Sequence, residues 1–280
     1  MNNLTLQLAE FNNSNFGRFG NQLFKYLFLK WAQKNMGLLV NLDQWPGDDY
    51  FNLPTERNST ISDTKFISHQ EYSHLYNPHK ILLELHELAT TGCKVVDLYG
   101  YFQFHTSHYQ EEKDFIYNLF KPNDMSIKFI SNVKEIIDAK ITAIHIRRGD
   151  YETYNNHPFF WASNLEKILI QLIEQQPNLL FENILYVSSD DLNYCKKILN
   201  KYAINYISNN TFSHLDSERD KLFVDFLLMC NANSLIISNS SLSFFAAMLN
   251  NNSEIFLRPS PDQISLVNFD PWNSNVLLSK

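Results

Sequence analysis

The chain has 280 residues, of which 44% are hydrophobic, 14% aromatic and 19% charged. That is enough apolar material to bury a sizeable core, which excludes bulk disorder. Twenty-three Lys and Arg stand against 30 Asp and Glu, a formal net charge of −7, so the overall balance lacks the basic face of a general nucleic-acid binder. Cys93, Cys195 and Cys230 lie far apart, which excludes a disulfide framework or a Cys-rich zinc site and fits a reducing compartment.

Met1 to Phe11 holds neither the basic nor the apolar stretch of a secretory signal, and no run nears the ~20 apolar residues of a membrane span. The expected location is cytoplasmic, at most peripheral at the inner face of a membrane.

In chain order, Leu4 to Leu8 alternates with period two and predicts a strand. A polar loop follows to Arg18, then a helix to about Met36 and a strand over 38–42. Residues 43 to 80 are irregular and punctuated by Pro46, Pro54 and Pro78. A helix is expected over 80–89, a strand over 95–101, and helices over 109–120 and 126–138. The second half alternates more regularly. Strands are expected over 141–146, 184–188, 204–207, 234–238 and 254–257. Helices are expected over 165–173, 192–201, 223–230 and 242–249, the first with clear i, i+3, i+4 spacing. This alternation predicts mostly parallel sheets covered on both faces. The expected organisation is two α/β lobes, 1–135 and 136–280, with a cleft between them.

Four polar turns each follow a predicted strand. His145-Ile146-Arg147-Arg148-Gly149-Asp150 places two guanidiniums at a strand's carboxyl end, where open α/β sheets bind ligands. Their planar forks suit a pyrophosphate; an ordinary Arg–Asp ion pair is the plainer reading. Strand parity sets His145 and Arg147 on one side and Arg148 on the other. One arginine then reaches a ligand while the second holds the loop, for instance through Asp150.

Gly17-Arg18-Phe19-Gly20-Asn21-Gln22 opens the first helix. Its glycines permit positive φ and close backbone approach, and a helix start offers N–H groups to an anion or a sugar hydroxyl. The plainer reading is a glycine turn with a capping Asn. Ser189-Asp190-Asp191 offers carboxylates to a base N–H or to ribose hydroxyls, or caps the next helix. Ser238-Asn239-Ser240-Ser241 is either an anion site or simple serine capping. Four such turns together favour a nucleotide site over four coincidental caps.

At these residues the chain resembles the inverting fucosyltransferase superfamily, most closely the bacterial α-1,2-fucosyltransferases of glycosyltransferase family 11. The H-x-R-R-x-D block is similar to His145–Asp150, G-R-x-G-N-Q to Gly17–Gln22, and S-D-D to Ser189–Asp191. G-Y-F-Q is similar to Gly100–Gln103, and D-x-x-L-M to Asp225–Met229. A final block, usually ending in Trp-Trp, ends here in Phe244-Phe245.

The resemblance implies a GT-B fold of two Rossmann-like lobes facing a central cleft. The N-terminal lobe would take the acceptor and the C-terminal lobe the donor. It implies GDP-L-fucose as donor, an oligosaccharide or glycolipid-precursor acceptor such as a β-galactoside reacting at O-2, inversion, and no cofactor or required metal. It implies that His145 and Asp190 or Asp191 contact guanine. Arg147 would hold the β-phosphate, Ser240 and Ser241 would cap the phosphates, and Asn21 would face the sugar. Arg18, Gly20, Arg148, Ser189 and Asn239 complete the expected donor site. Asp150, Glu152 and His157 are the candidate bases. A different sugar or acceptor, or a non-catalytic sugar-nucleotide or glycan binder, is the alternative.

Overall fold

The structure, a computed structural model, describes residues 4–8, 18–53, 64–69 (backbone only), 77–153, 163–213, 215, 217–261 and 265–278. The chain divides into two compact units, Met1–Ser126 and Ile127–Lys280.

The first unit runs β1 (Thr5–Gln7), α1 (Phe19–Met36), β2 (Leu39–Asn41), β3 (Thr64–His69), α2 (Pro78–Thr90), β4 (Val95–Gly100) and α3 (Lys113–Leu119). Its four strands are parallel in the order β2-β1-β4-β3. β3 falls in the stretch expected to be irregular. Helix α1 is buried nearly all round. It stops at Gly37, whose φ of 65° closes the last turn with an N–H bond to Gln33 at 2.8 Å. The helix expected over 109–120 begins instead as a 3-10 helix, Thr106–Glu112, before α3.

α4 (Asp124–Asn132) crosses the boundary between the units, and α5 (Lys134–Ile137) follows after a break at Val133, so the helix expected over 126–138 is two. The second unit continues with β5 (Ile141–Ile146), α6 (Leu165–Gln175), α7 (Asn178–Phe181), β6 (Ile184–Ser189), α8 (Leu192–Lys201), α9 (Glu218–Asn231), β7 (Ser234–Ile236), α10 (Ser241–Leu249), β8 (Ile255–Pro259) and β9 (Leu266–Asn268). The order is β6-β5-β7-β8-β9, parallel except for the unanticipated antiparallel β9. The strand expected over 204–207 reduces to a single bridge from Ile207 to Tyr186.

One face of this sheet supplies Ile144, Ile146, Leu185, Val187, Ile236 and Leu257 to a core closed by α6 and α8. Each such aliphatic side chain contributes about 1.5–3 kcal/mol when fully buried. The alternate residues, His145, Tyr186 and Ser188, face the other way, and His145 and Tyr186 bond to residues of α10 and α9. The chain leaves β5 toward β6 on one side and returns to β7 on the other. The topological switch point therefore lies between β5 and β7, where α/β sheets open a crevice beyond the strand ends.

Candidate active site

The switch point is bridged by His145. Its Nδ1 lies 2.7 Å from Ser238 Oγ, beyond β7, and 2.8 Å from Ser243 Oγ on α10. Burial, reinforced by the Arg147 charge, lowers its pKa to about 3, so the imidazole is neutral. A neutral ring anchored at Nδ1 by two hydroxyls keeps a fixed orientation.

Arg147 sits at the end of β5 between two carboxylates, with Nη1 on Asp190 and Nη2 on Asp150. These use two of its five N–H donors among the described residues. The arginine that grips Asp150 is therefore Arg147, the same one expected to hold the phosphate, and not a second, loop-holding arginine. Arg148 turns to the α8 side of the sheet, as strand parity predicts. Its guanidinium lies 3.7 Å over the Tyr194 ring, reaches Asp191 at 3.5 Å and pairs with Glu152. Stacking and pairing of this kind hold a loop in place.

Asp190 is fixed from two directions, by Arg147 and by the Arg148 N–H at 2.9 Å. Among the described residues each oxygen accepts one bond, which leaves a lone pair for a further donor. Asp191 follows the capping reading: its side chain accepts the Tyr194 N–H at 3.0 Å and starts α8. Its own N–H bonds Ser189 Oγ at 2.9 Å. Ser240 occupies the cap position of α10 but makes no side-chain cap bond, so its hydroxyl is not spent on its own helix. Ser241 opens that helix. Asn239 spends its amide on the Leu278 backbone.

In the first unit, Arg18 is exposed at the cap of α1 and accepts the Asn21 N–H through its carbonyl at 2.9 Å. Gly20 is helical, so the expected positive φ does not occur there. The Asn21 side chain accepts from Gln103 Nε2 at 2.7 Å. That glutamine follows a backbone twist in which Gly100 has φ 152° and Phe102 φ 52°, a left-handed conformation costly for an aromatic residue. Phe102 is held by a parallel stack on Phe28, ring centroids 4.7 Å apart. Gly17 and His157 lie outside the described residues.

Three residues were not assigned a role from sequence. Asp225 is buried on α9 and accepts from Tyr186 Oη and from Asn209 Nδ2, the latter at 3.1 Å. Desolvation raises its pKa to about 7. Gln103 and Leu278 are the others. Asp225 and Gln103 stand within quoted family blocks, which was the available signal. Phe244 and Phe245, where the family usually has Trp-Trp, are fully buried in α10 and belong to the core of their unit. Among the described residues no three His, Cys, Asp or Glu side chains group to hold a metal, and no helix is long and apolar enough to cross a membrane.

Solved structures share this architecture. The α-1,6-fucosyltransferase NodZ soaked with GDP-fucose superposes with a TM-score of 0.52 at 12% identity, covering 95% of this chain and 99% of that one. POFUT1 in complex with GDP gives 0.55 at 14%, covering 92% and 98%. Such identities carry the fold alone, the GT-B type. In sequence, the chain is similar to an α-1,2-colitosyltransferase of Escherichia coli, 30% identical across 63% of this chain and 60% of that protein's length. It is also similar to WbnK, an O-antigen biosynthesis glycosyltransferase of Escherichia coli, 31% identical across 84% of this chain and 88% of that protein. Residues 16–263 match the family described as glycosyl transferase family 11. With that match spanning every motif described above, the chain belongs to glycosyl transferase family 11.

Proposed function

We propose that this glycosyltransferase moves L-fucose from GDP-L-fucose to a glycan hydroxyl, O-2 of a β-galactoside, with inversion. One observation carries the reading: Arg147, His145, Asp190 and Ser240 converge on the carboxyl ends of β5, β6 and β7, around the switch point of the second unit's sheet. Fold neighbours solved with GDP or GDP-fucose support a GDP-sugar donor.

Transfer leaves GDP with added negative charge. A donor already in place stabilises that charge, usually the largest catalytic term. Arg147 fills this role with its remaining N–H groups, and the start of α10 beyond Ser240 adds backbone donors. Asp190 accepts from the guanine edge or the ribose, and its rigid hold by Arg147 and the Arg148 N–H sets that direction. The acceptor hydroxyl gives up its proton to Asp150, Glu152 or His157. Of these, Asp150 is tied to Arg147 and Glu152 to Arg148. In the first unit, Gln103 fixes the amide of Asn21, the residue that the family resemblance assigns to the sugar. The reaction takes place in the cytoplasm, on a soluble or membrane-attached glycan precursor.

A second reading keeps the site and changes the sugar, and the colitosyltransferase relative favours it. The deciding experiment is incubation with GDP-fucose, GDP-colitose and UDP-galactose against a panel of β-galactosides, with the product linkage read by NMR. An α-1,2-linked fucoside supports the proposal. Turnover with GDP-colitose alone selects the second reading, and turnover with UDP-galactose alone removes the guanine assignment.

A further inference from the structure

The family match ends at residue 263, yet the chain beyond it reaches back to the turn after β7. Asn239 stands in that turn, between Ser238, which holds His145, and Ser240, which heads α10. The residue is almost fully buried, at 6% exposure. Both ends of its amide close on one residue: Nδ2 donates to the Leu278 carbonyl at 3.1 Å, and Oδ1 accepts the Leu278 N–H at 2.8 Å. Paired bonds of this kind leave the side chain no rotational freedom, and they transfer the position of residue 278 to the turn.

The segment that carries Leu278 is itself anchored. Phe269 donates its N–H to Phe256 on β8 at 3.1 Å, and its ring packs on Phe244 of α10 at 5.6 Å. Arg258 on β8 lies 4.9 Å over the same ring and donates to the Asn275 carbonyl at 2.9 Å. Arg258 makes no ion pair among the described residues, so that carbonyl and that ring are what offset its partial burial. Trp272 and Val276 are buried. Residues 269–278 are thus a strap with several fixed points, ending on the loop next to the proposed phosphate site.

We propose that this strap is a positioning device for the donor: the Leu278 backbone, acting through Asn239, holds the Asn239–Ser241 turn in the geometry that receives the GDP phosphates. The inference rests on the donor reading given above and extends it to residues outside the family match. A polar loop free to move would pay an ordering cost on each binding event; a loop already held does not.

The test is calorimetric titration of GDP, with melting temperatures in parallel, on the full chain and three variants. Leu278→Ala keeps both backbone bonds and should bind GDP like the wild type. Leu278→Pro removes the N–H, and should weaken GDP binding by roughly threefold to tenfold, about what one hydrogen bond is worth, with a nearly unchanged melting temperature. A chain ended after Val276 loses both bonds but keeps Trp272, Val276 and the Asn275 carbonyl; it should bind more weakly still, and it decides the matter if the proline variant fails to fold. GDP affinity equal to wild type in the proline and shortened variants overturns the strap's role, as does a fall in melting temperature with affinity unchanged. Absence of GDP binding by the wild type overturns the donor reading and this inference with it.

Discussion

Asp190 closes over Gly149 so tightly that a β-carbon at Gly149 would lie 2.6 Å from Asp190 Oδ2. No normal contact is that short. Asp190 cannot swing aside freely, because Arg147 and the Arg148 N–H hold its two oxygens. Glycine at this position is therefore a demand of the carboxylate above it. Gly149→Ala should cost about 1–3 kcal/mol of stability, as overpacking does, and should weaken GDP binding by displacing Asp190. Urea unfolding and GDP titration read the two effects. Wild-type values in both would show that Asp190 is not confined.

The strand-and-helix rhythm was largely legible because the apolar periodicities of β5, β6, α6 and α8 are strong. The misses have local causes. β3 lies in a proline-punctuated stretch whose pattern is weak, and β9 is only three residues long. Ile204 to Ile207 has a strand's composition, but only Ile207 bridges to a strand, while the Ile204 N–H turns back to Leu199 at the end of α8. The residue types of the site were legible as motifs, whereas their pairing was not. Arg147 meets Asp190 43 residues away and His145 meets Ser238 93 residues away. Nothing in a linear spacing says which arginine takes Asp150. Nor does it say that the Asn239 amide bonds Leu278, 39 residues on.

Asp225 predicts a pH dependence of stability. Its folded pKa is raised from 3.8 to about 7, chiefly by desolvation and against the bonds from Tyr186, Ser188 and Asn209. Between these values the folded protein holds a proton that the unfolded chain has released. The unfolded state then binds fewer protons, so stability from this group falls as pH rises from about 4 to about 7. His145, lowered from 6.5 to about 3, works in the opposite sense and loses stability as pH falls through that range. Comparison of wild type with Asp225→Asn isolates the first effect. Asn209 can rotate its amide, whose Oδ1 is otherwise unpartnered, to receive the new amino group. The stability of the Asn variant relative to wild type should rise by up to about 1.4 kcal/mol per pH unit between pH 4 and 7. A constant difference in urea unfolding at pH 4.5 and 7 would mean that Asp225 titrates normally.

Gln103 should act on the sugar step rather than on the nucleotide. Gln103→Leu keeps the volume and removes the donor to Asn21 Oδ1. Turnover should fall by roughly tenfold, the scale of one lost hydrogen bond to an aligned group, while GDP affinity stays within a factor of about two. An equal loss of GDP affinity would place Gln103 elsewhere in the chemistry.

Catalysis should survive chelation. Arg147 and the start of α10 are proposed to take the charge that a metal would otherwise carry. Transfer rates in excess EDTA should match those without it. Activity abolished by EDTA and restored by Mg²⁺ or Mn²⁺ would instead assign Asp190 and Asp191 to a metal.

The most direct test of the account compares Arg147→Lys with Arg148→Lys in turnover with GDP-fucose, alongside melting temperature. Lysine keeps the charge, but its three N–H groups splay from one nitrogen and cannot reproduce the planar two-pronged fork of the guanidinium. Arg147→Lys should lower turnover by about 10²–10³, roughly 2.7–4 kcal/mol, in a protein that stays folded. Arg148→Lys loses the stack on Tyr194, so it should lower the melting temperature first and activity second. Near-normal turnover for Arg147→Lys, with a folded but inactive Arg148→Lys, would contradict the account.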